Sequence, residues 1–295
     1  MTLLESIQQG ARQLTEAGVA FGHGTQNAFD EAAWLVLWQL GLPLDTHLQG
    51  QESQEKRHLS PADIEKIATL FEARINTRKP AAYLTQEAWL MGVPFYVDER
   101  VIVPRSLIAE LLFDESLDVW LNPASQRALD LCTGNGSLAV LAAMCYPDLQ
   151  IDASDISPDA LDVARINVER HNLQQRITLL ASDGLSQLQG PYDLILCNPP
   201  YVNAESMAEL PPEYQAEPAL ALDGNTAGSQ DGMDFIRNLL LQAPAFLTEQ
   251  GVLVLEIGNE RPHFEAAFPT LHPVWLNTSA GSDQVLLLTR ELIGI

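Results

Sequence analysis

The run Leu129-Asp-Leu-Cys-Thr-Gly134-Asn-Gly136-Ser-Leu-Ala139 constrains this chain more than any other stretch. An apolar strand ends, two glycines follow with one residue between them, and a helix begins. Glycine at 134 and 136 permits a tight turn and lets the backbone approach a ligand with no Cβ in the way. Nineteen residues past Gly136, Asp155 closes the next apolar run, where a carboxylate can accept both hydroxyls of a ribose. The pattern predicts a nucleoside-cofactor site at the carboxyl edge of a sheet.

The surrounding sequence predicts which sheet. Apolar strand-like runs fall at 128–132, 151–155, 177–180, 194–197, 252–257 and 285–289, with helical stretches at 138–145, 158–171 and 231–247 between them. Near-continuous apolar strands separated by helices predict a parallel sheet covered on both faces. The end differs: 274–278 and 283–289, joined by Ser279-Ala-Gly-Ser, predict an antiparallel hairpin.

Residues 1–84 read as helices. Ala32, Ala33, Leu35, Val36, Leu37 and Leu40 recur at helical spacing until Gly41 and Pro43 stop the run, and Trp34 and Trp38, one turn apart, read as helix core. Ser60-Pro61-Ala-Asp63 places an N-cap, a first-turn proline and a capping-box acid at the head of another helix, which runs toward Arg78 and Pro80. Trp89–Val97 and 101–104 read as two short strands bracketing Asp98-Glu99-Arg100 in a hairpin. The expected organisation is therefore a helical domain at 1–84, a hairpin linker at 85–105 and an α/β domain at 106–295.

Charge narrows the partners. The chain has 39 acidic against 16 basic residues, a net charge of -23, and its only lysines are Lys56, Lys66 and Lys79. Up to Pro104 there are 13 acids and 8 bases, and beyond it 26 and 8, so the acidity is concentrated in the α/β part. Such a field repels phosphate backbones and anionic membranes and attracts a basic protein. No stable nucleic-acid binding and no membrane association are expected. Cys132, Cys145 and Cys197 have no metal-binding spacing and read as buried free thiols, with no metal expected. No apolar run approaches the ~20 residues of a membrane-spanning helix. The start lacks a basic segment followed by an apolar one, which predicts a cytoplasmic protein.

Two glycines with a following acid also fit a nicotinamide dinucleotide. Three features favour S-adenosylmethionine instead. Asp130 stands where a carboxylate opposes a pyrophosphate but suits a cationic amino-acid moiety. The chain closes in a hairpin, whereas a dinucleotide fold repeats its βαβ half. The third feature is the segment after the fourth strand. The cofactor site is then expected from Asp130, Cys132, Thr133, Gly134, Asn135, Gly136, Asp155, Asp183, Gly184 and Asn198, with Asp183 on the adenine amino group.

That segment is Leu194-Ile-Leu-Cys-Asn198-Pro199-Pro200-Tyr201. Two prolines cannot continue a strand, so the chain leaves the sheet rigidly at its ligand-binding edge. The Asn198 side-chain oxygen and the Pro199 carbonyl become two fixed acceptors, matching a planar NH2 on an sp2 carbon, as in a glutamine amide or adenine N6. Such a nitrogen is a poor nucleophile because its lone pair is delocalised. Holding both N–H bonds favours the charge that builds as it attacks, and orientation in line with a methyl donor supplies further acceleration. Asn198, Pro199 and Tyr201 are the candidate catalytic residues. Asn198, Pro199, Pro200, Tyr201, Arg105 and Glu217 are the candidate substrate contacts. Tyr201 would cover one face of the planar group.

With these motifs the chain resembles the class I S-adenosylmethionine-dependent methyltransferases, and among them the N5-glutamine family. Phe95-Tyr-Val-Asp-Glu-Arg-Val-Ile-Val-Pro-Arg-Ser106, Glu217-Pro218-Ala-Leu-Ala-Leu and Asp231-Gly232 are similar to that family's signatures, whereas Asn198-Pro-Pro-Tyr201 is shared with adenine-N6 enzymes. Release-factor members usually carry Pro-Arg-Pro-Asp-Thr-Glu after the linker. Here Pro104-Arg105-Ser106-Leu107-Ile108-Ala109-Glu110 stands closer to the branch acting on large-subunit ribosomal protein three, as do Phe21-Gly-His23-Gly-Thr25 and Trp34-Leu-Val-Leu. Leu107 replaces a usual proline, and the loop at 225–230 is longer than the family's, which places a change on the substrate side. The resemblance implies a seven-stranded Rossmann-like domain and methyl transfer from S-adenosylmethionine, with S-adenosylhomocysteine as product, to the N5 amide of a glutamine in that basic ribosomal protein. Release factors are the alternative substrates and adenine N6 a third reading. A nicotinamide oxidoreductase and a catalytically idle ribosome-assembly binder are the other classes. Arg105 reads as steadying an acid near the pocket or as a surface salt bridge, and Glu217 as orienting the NPPY turn or as a solvated acid. His23, far along the chain from the glycine loop, reads as structural or as a recognition residue.

Overall fold

A computed structural model describes residues 1–48 and 53–294. The chain forms two compact units, Met1–Ala88 with Leu210–Ala216, and Trp89–Glu209 with Glu217–Ile295. The first is helical: α1 (Leu3–Glu16), α2 (Ala28–Gln39), α3 (Pro61–Thr77) and α4 (Ala81–Thr85). Caps set three of the starts. Thr2 and Glu5 form a capping box on α1, Asn27 accepts from Asp30 N on α2, and Ser60 accepts from Asp63 N on α3. Leu3, Ile7, Leu35, Val36 and Phe71 fill the core with Trp34, while Trp38 is only half-buried.

Segment Leu210–Ala216, which the sequence places inside the α/β domain, joins the helical unit. It carries a single helical turn at Pro212–Gln215. The buried Arg74 donates to Glu31 at 2.8 Å and to Glu213 at 3.3 Å, and Arg78 donates to Glu213 at 3.2 Å. Long-range ion pairs of this kind leave no periodicity in the sequence.

A hairpin opens the second part, but not where the sequence predicts it. β1 (Ala88–Leu90) and β2 (Val93–Phe95) turn at Met91 and Gly92, both with positive φ. That is the turn geometry matching strand twist. Asp98-Glu99-Arg100 is instead a side-chain knot, with Asp98 accepting from the Arg100 backbone N at 3.1 Å and from its guanidinium Nη2 at 2.7 Å.

The α/β unit has helices α5 (Ile108–Phe113), α6 (Ser137–Cys145) and α7 (Pro158–Arg170) and strands β3 (Arg127–Leu131), β4 (Gln150–Asp155), β5 (Ile177–Ala181), β6 (Tyr192–Cys197), β7 (Leu247–Glu256), β8 (Val274–Thr278) and β9 (Gly281–Thr289). Their order is β5-β4-β3-β6-β7-β9-β8. The first five are parallel, and β9 runs antiparallel to both β7 and β8, as the alternation and the final hairpin predict. Along β6, Leu194 and Leu196 enter one apolar core with Leu138, Val140 and Leu141 of α6, while Ile195 and Cys197 enter another with Ile236, Leu239 and Leu240 of the helix Asp234–Phe246. Both faces of β6 are dry, so the run Leu194–Cys197 is apolar throughout. Among the described residues no helix is long and apolar enough to cross a membrane. The order reverses between β3 and β6, and the loops after β3, β4, β5 and β6 meet at that edge.

Candidate active site

The glycine loop is braced from behind. Asp130, buried at the end of β3, accepts from Thr133 Oγ1 at 2.5 Å and from Ala139 N at 3.0 Å, both on its Oδ2. Oδ1 has no hydrogen-bond partner among the described residues. Burial pushes this carboxyl up to about 7. Asn135 is buried too, and its carbonyl accepts from Asn167 Nδ2 at 2.8 Å. Asn167 also exchanges bonds with the Tyr96 backbone at 2.7 and 2.9 Å, so one fully buried α7 side chain joins the glycine loop to the chain after the hairpin. Sequence reasoning passes over Asn167, although a mid-helix asparagine is a residue that wants partners beyond its own helix.

At the front, Gly134 N donates to Asp155 Oδ2 and Ser157 N to Asp155 Oδ1, each at 2.9 Å. Burial raises the Asp155 carboxyl above its ordinary range. Gly134 has φ +55 with open space where a Cβ would stand, while at Gly136, φ +80, a Cβ would come within 3.2 Å of Ala164 Cβ. The first glycine opens a cradle and the second lets α7 approach.

A cavity of about 480 Å³ lies at this edge. Of the expected residues, Cys132, Gly134, Asp155, Asp183, Gly184, Asn198 and Pro200 line it, whereas Asp130, Thr133, Asn135, Gly136, Pro199, Tyr201, Arg105 and Glu217 stand outside its wall. Three parts were not anticipated. Arg100, Val101 and Ile102 line it from the segment after the hairpin, Phe235 and Asn238 from the helix after the acidic loop, and Thr226 and Ala227 from the loop at 225–230. That long loop therefore faces the same cavity as Asp155, and Asp234 fixes it by accepting from Ala227 N at 2.6 Å. Cys132 at the wall and Cys145 are half-buried, and only Cys197 is buried, correcting the expectation of three buried thiols.

The NPPY turn leaves β6 as its prolines dictate. Val202 N and O bond Leu222 O and Gly224 N at 2.9 and 3.1 Å, so the turn rests on the chain that follows Glu217. The Tyr201 ring lies against Gly258 rather than on the cavity wall, and a Cβ there would come within 2.7 Å of Cε2. Burial, with Glu256, Glu260 and Glu217 around it, raises the Tyr201 phenol, keeping it protonated near neutrality. Arg105 and Glu217 meet each other in a two-pronged pair, 2.7 Å on both arms, and Glu217 also accepts from Val103 N at 2.8 Å. Glu217 is buried, so it is not a solvated acid, and these bonds tie it to the segment before α5. His23 is buried in the helical unit, its ring centroid 4.2 Å from that of Tyr214.

One further acid escapes the sequence. Glu256, buried at the end of β7, accepts from Ser106 Oγ at 2.6 Å and from Leu107 N at 2.9 Å, and burial pushes it to about 7. Within the long apolar run of β7, one acid gives no sign of which chain end it will cap.

The methyltransferase small domain family matches residues 109–211. The ribosomal protein uL3 glutamine methyltransferase of Bordetella pertussis is 53% identical over 293 residues, 98% of this chain and 95% of that protein. The proteins of that name from Neisseria meningitidis serogroup A and Bradyrhizobium diazoefficiens are 49% and 44% identical over 98% and 97% of this chain and 93% and 89% of theirs. Among solved structures, the hMettl16 catalytic domain in complex with MAT2A 3'UTR hairpin 6 superposes with a TM-score of 0.50 at 13% identity, covering 77% of this chain and 81% of that one. That likeness is one of fold.

Proposed function

The chain belongs to the ribosomal protein uL3 glutamine methyltransferase family, and on that premise we propose that it transfers a methyl group from S-adenosylmethionine to the N5 side-chain amide of a glutamine in ribosomal protein uL3. The observation that carries this reading is 44–53% identity over nearly the full length to proteins of that name, together with Asn198 on the wall of a cavity shared with Gly134, Asp155 and Asp183.

The residues present fit such a cofactor. Gly134 leaves open space at the wall, Asp155 is available to ribose hydroxyls, and Asp183 and Gly184 stand beside Phe235, 3.9 Å from a Cβ at Gly184. S-adenosylmethionine, when bound, supplies an electrophilic methyl on a positively charged sulfur. Asp130, whose Oδ1 is unsatisfied behind the loop, is held near 7 by burial, and a cationic group in front of it would favour its ionised form. Asn198 and the Pro199 carbonyl would accept the two amide N–H bonds, orienting the nitrogen and stabilising charge that develops on it. Tyr201, a neutral phenol packed against Gly258 behind the wall, would support the turn rather than cover the amide. Arg105 and Glu217 act at a distance, by fixing the segment before α5 to the chain after the turn.

A net charge of -23 suits a basic ribosomal protein as substrate and disfavours nucleic acid. The test is methyl transfer from labelled S-adenosylmethionine, offered separately to purified uL3 and to a release factor, with the label located by mass spectrometry. One methylated glutamine on uL3 alone is expected. Label on the release factor alone would overturn the substrate, and label on neither would overturn the reading.

A further inference from the structure

Within the α/β unit, a second loop grips the exit of the Asn198–Tyr201 turn. Val202 O accepts from Gly224 N and from Asn225 Nδ2, each at 3.1 Å, and Ala204 N donates to Gln230 O at 3.1 Å. Asn225 is the hub of that loop. Its Nδ2 also donates to Asp223 Oδ1 at 2.7 Å, and its Oδ1 accepts from Gly232 N at 2.8 Å, closing the loop on itself. Gly232 then lies directly on the turn. Its φ is +75, and a Cβ there would stand 2.1 Å from Tyr201 O, where no side chain fits. Gly224 packs as closely on Gly232, with a Cβ at 224 only 2.3 Å from Gly232 O.

The same loop also belongs to the cavity. Thr226 and Ala227 line its wall, and Asp234 fixes them by accepting from Ala227 N at 2.6 Å and from Ser229 N at 3.2 Å. Asp234 opens the helix that adds Phe235 and Asn238 to that wall, and Arg237 of this helix donates twice to Asp231, the neighbour of Gly232, at 3.0 and 2.5 Å. One short loop therefore touches both the cavity wall and the turn that carries Asn198. We infer that Asn225 and Gly232 are positioning residues for the transfer: they clamp Tyr201 and Val202, and so fix where Asn198 and the Pro199 carbonyl stand against the wall formed by Thr226 and Ala227. The inference rests on the methyltransferase reading above. Misplacing an acceptor is felt in the transition state, whereas Gly134, Asp155 and Asp183 lie on other loops, so the clamp sets turnover rather than cofactor affinity.

The test pairs two glycines of the loop, read by turnover on uL3 and by S-adenosylmethionine affinity. Gly228 and Gly232 have φ +94 and +75, so alanine strains the backbone at either, but at 228 nothing lies within 4 Å of the new Cβ, while at 232 it meets the turn. Gly232→Ala should lower kcat at least about tenfold below that of Gly228→Ala, with cofactor Kd within about threefold in both. Asn225→Asp decides the matter if Gly232→Ala does not fold. It keeps an acceptor for Gly232 N, removes the donor to Val202 O and turns a second carboxylate toward Asp223. Its kcat should fall about tenfold at unchanged cofactor Kd. A loop that merely unfolded would take Thr226 and Ala227 off the wall and weaken cofactor binding in step. Equal kcat in the two alanine variants, cofactor affinity lost in parallel with kcat, or wild-type kcat in Asn225→Asp each overturns the clamp. A wild-type protein that methylates no uL3 fails the functional reading itself, before any variant is compared.

Discussion

Glu256→Gln isolates a buried proton. In the folded chain the Glu256 carboxyl is held near 7 by burial, against an ordinary value of 4.5, even though Ser106 and Leu107 both donate to it. Between those pH values the folded state keeps a proton that the unfolded chain has released. The stabilisation is therefore complete below 4.5 and lost as pH rises through 7. The gap from 4.5 to about 7, at ~1.4 kcal/mol per pH unit, amounts to about 3 kcal/mol. Glutamine keeps an acceptor oxygen for Ser106 and Leu107 but has no proton to lose. Urea unfolding of both proteins from pH 4.5 to 8 should show the variant gaining about 3 kcal/mol relative to wild type across that window. Asp130, held near 7 for the same reason, drops out of the difference because both proteins carry it. Parallel stability curves would refute the assignment of a neutral, buried Glu256.

Asn198→Ala should lower kcat on uL3 by about 10²–10³ with S-adenosylmethionine Kd nearly unchanged, since it removes a preorganised acceptor, and calorimetry beside a turnover assay checks both. Arg105→Ala takes the cation from the buried Glu217 carboxylate, to which Val103 N still donates, and should cost about 3–5 kcal/mol in denaturant unfolding, with Arg105→Lys recovering only part because an ammonium cannot make the two-pronged contact. Substrate steering by the acidic field predicts that kcat/KM for uL3 falls several-fold as salt rises from ~50 to ~500 mM, while kcat holds, and a salt-independent kcat/KM would remove steering from the account.

The α/β core was legible because both faces of its sheet are buried, so its strands stand out as apolar runs and Leu194–Cys197 needs no partner to be recognised. The glycine loop and Asp155 were legible because turn, helix start and acid lie within one stretch of chain. The residues that finish the site were not. Asn167, Glu256 and the Arg105–Glu217 pair act across separations of 32 to 150 residues, and no local spacing encodes which donor a buried acid will find. The hairpin was misplaced for a different reason. Asp98-Glu99-Arg100 has turn composition, but its polar groups satisfy one another, while the bend falls at Met91-Gly92, where two consecutive residues take positive φ.

The position of β9 has a consequence for the order in which the molecule can be made. This strand, Gly281–Thr289, lies between β7 and β8, so β8 reaches the sheet only through a strand synthesised after it. While a ribosome is still short of residue 289, β7 presents an unpaired apolar edge lined by Leu253, Val254 and Leu255, the kind of edge that recruits other strands. The helical unit also waits on distant chain, since Glu213, the partner of its buried Arg74, emerges 139 residues after that arginine. The helical unit can close only once residue 216 has emerged, and the sheet only once residue 289 has.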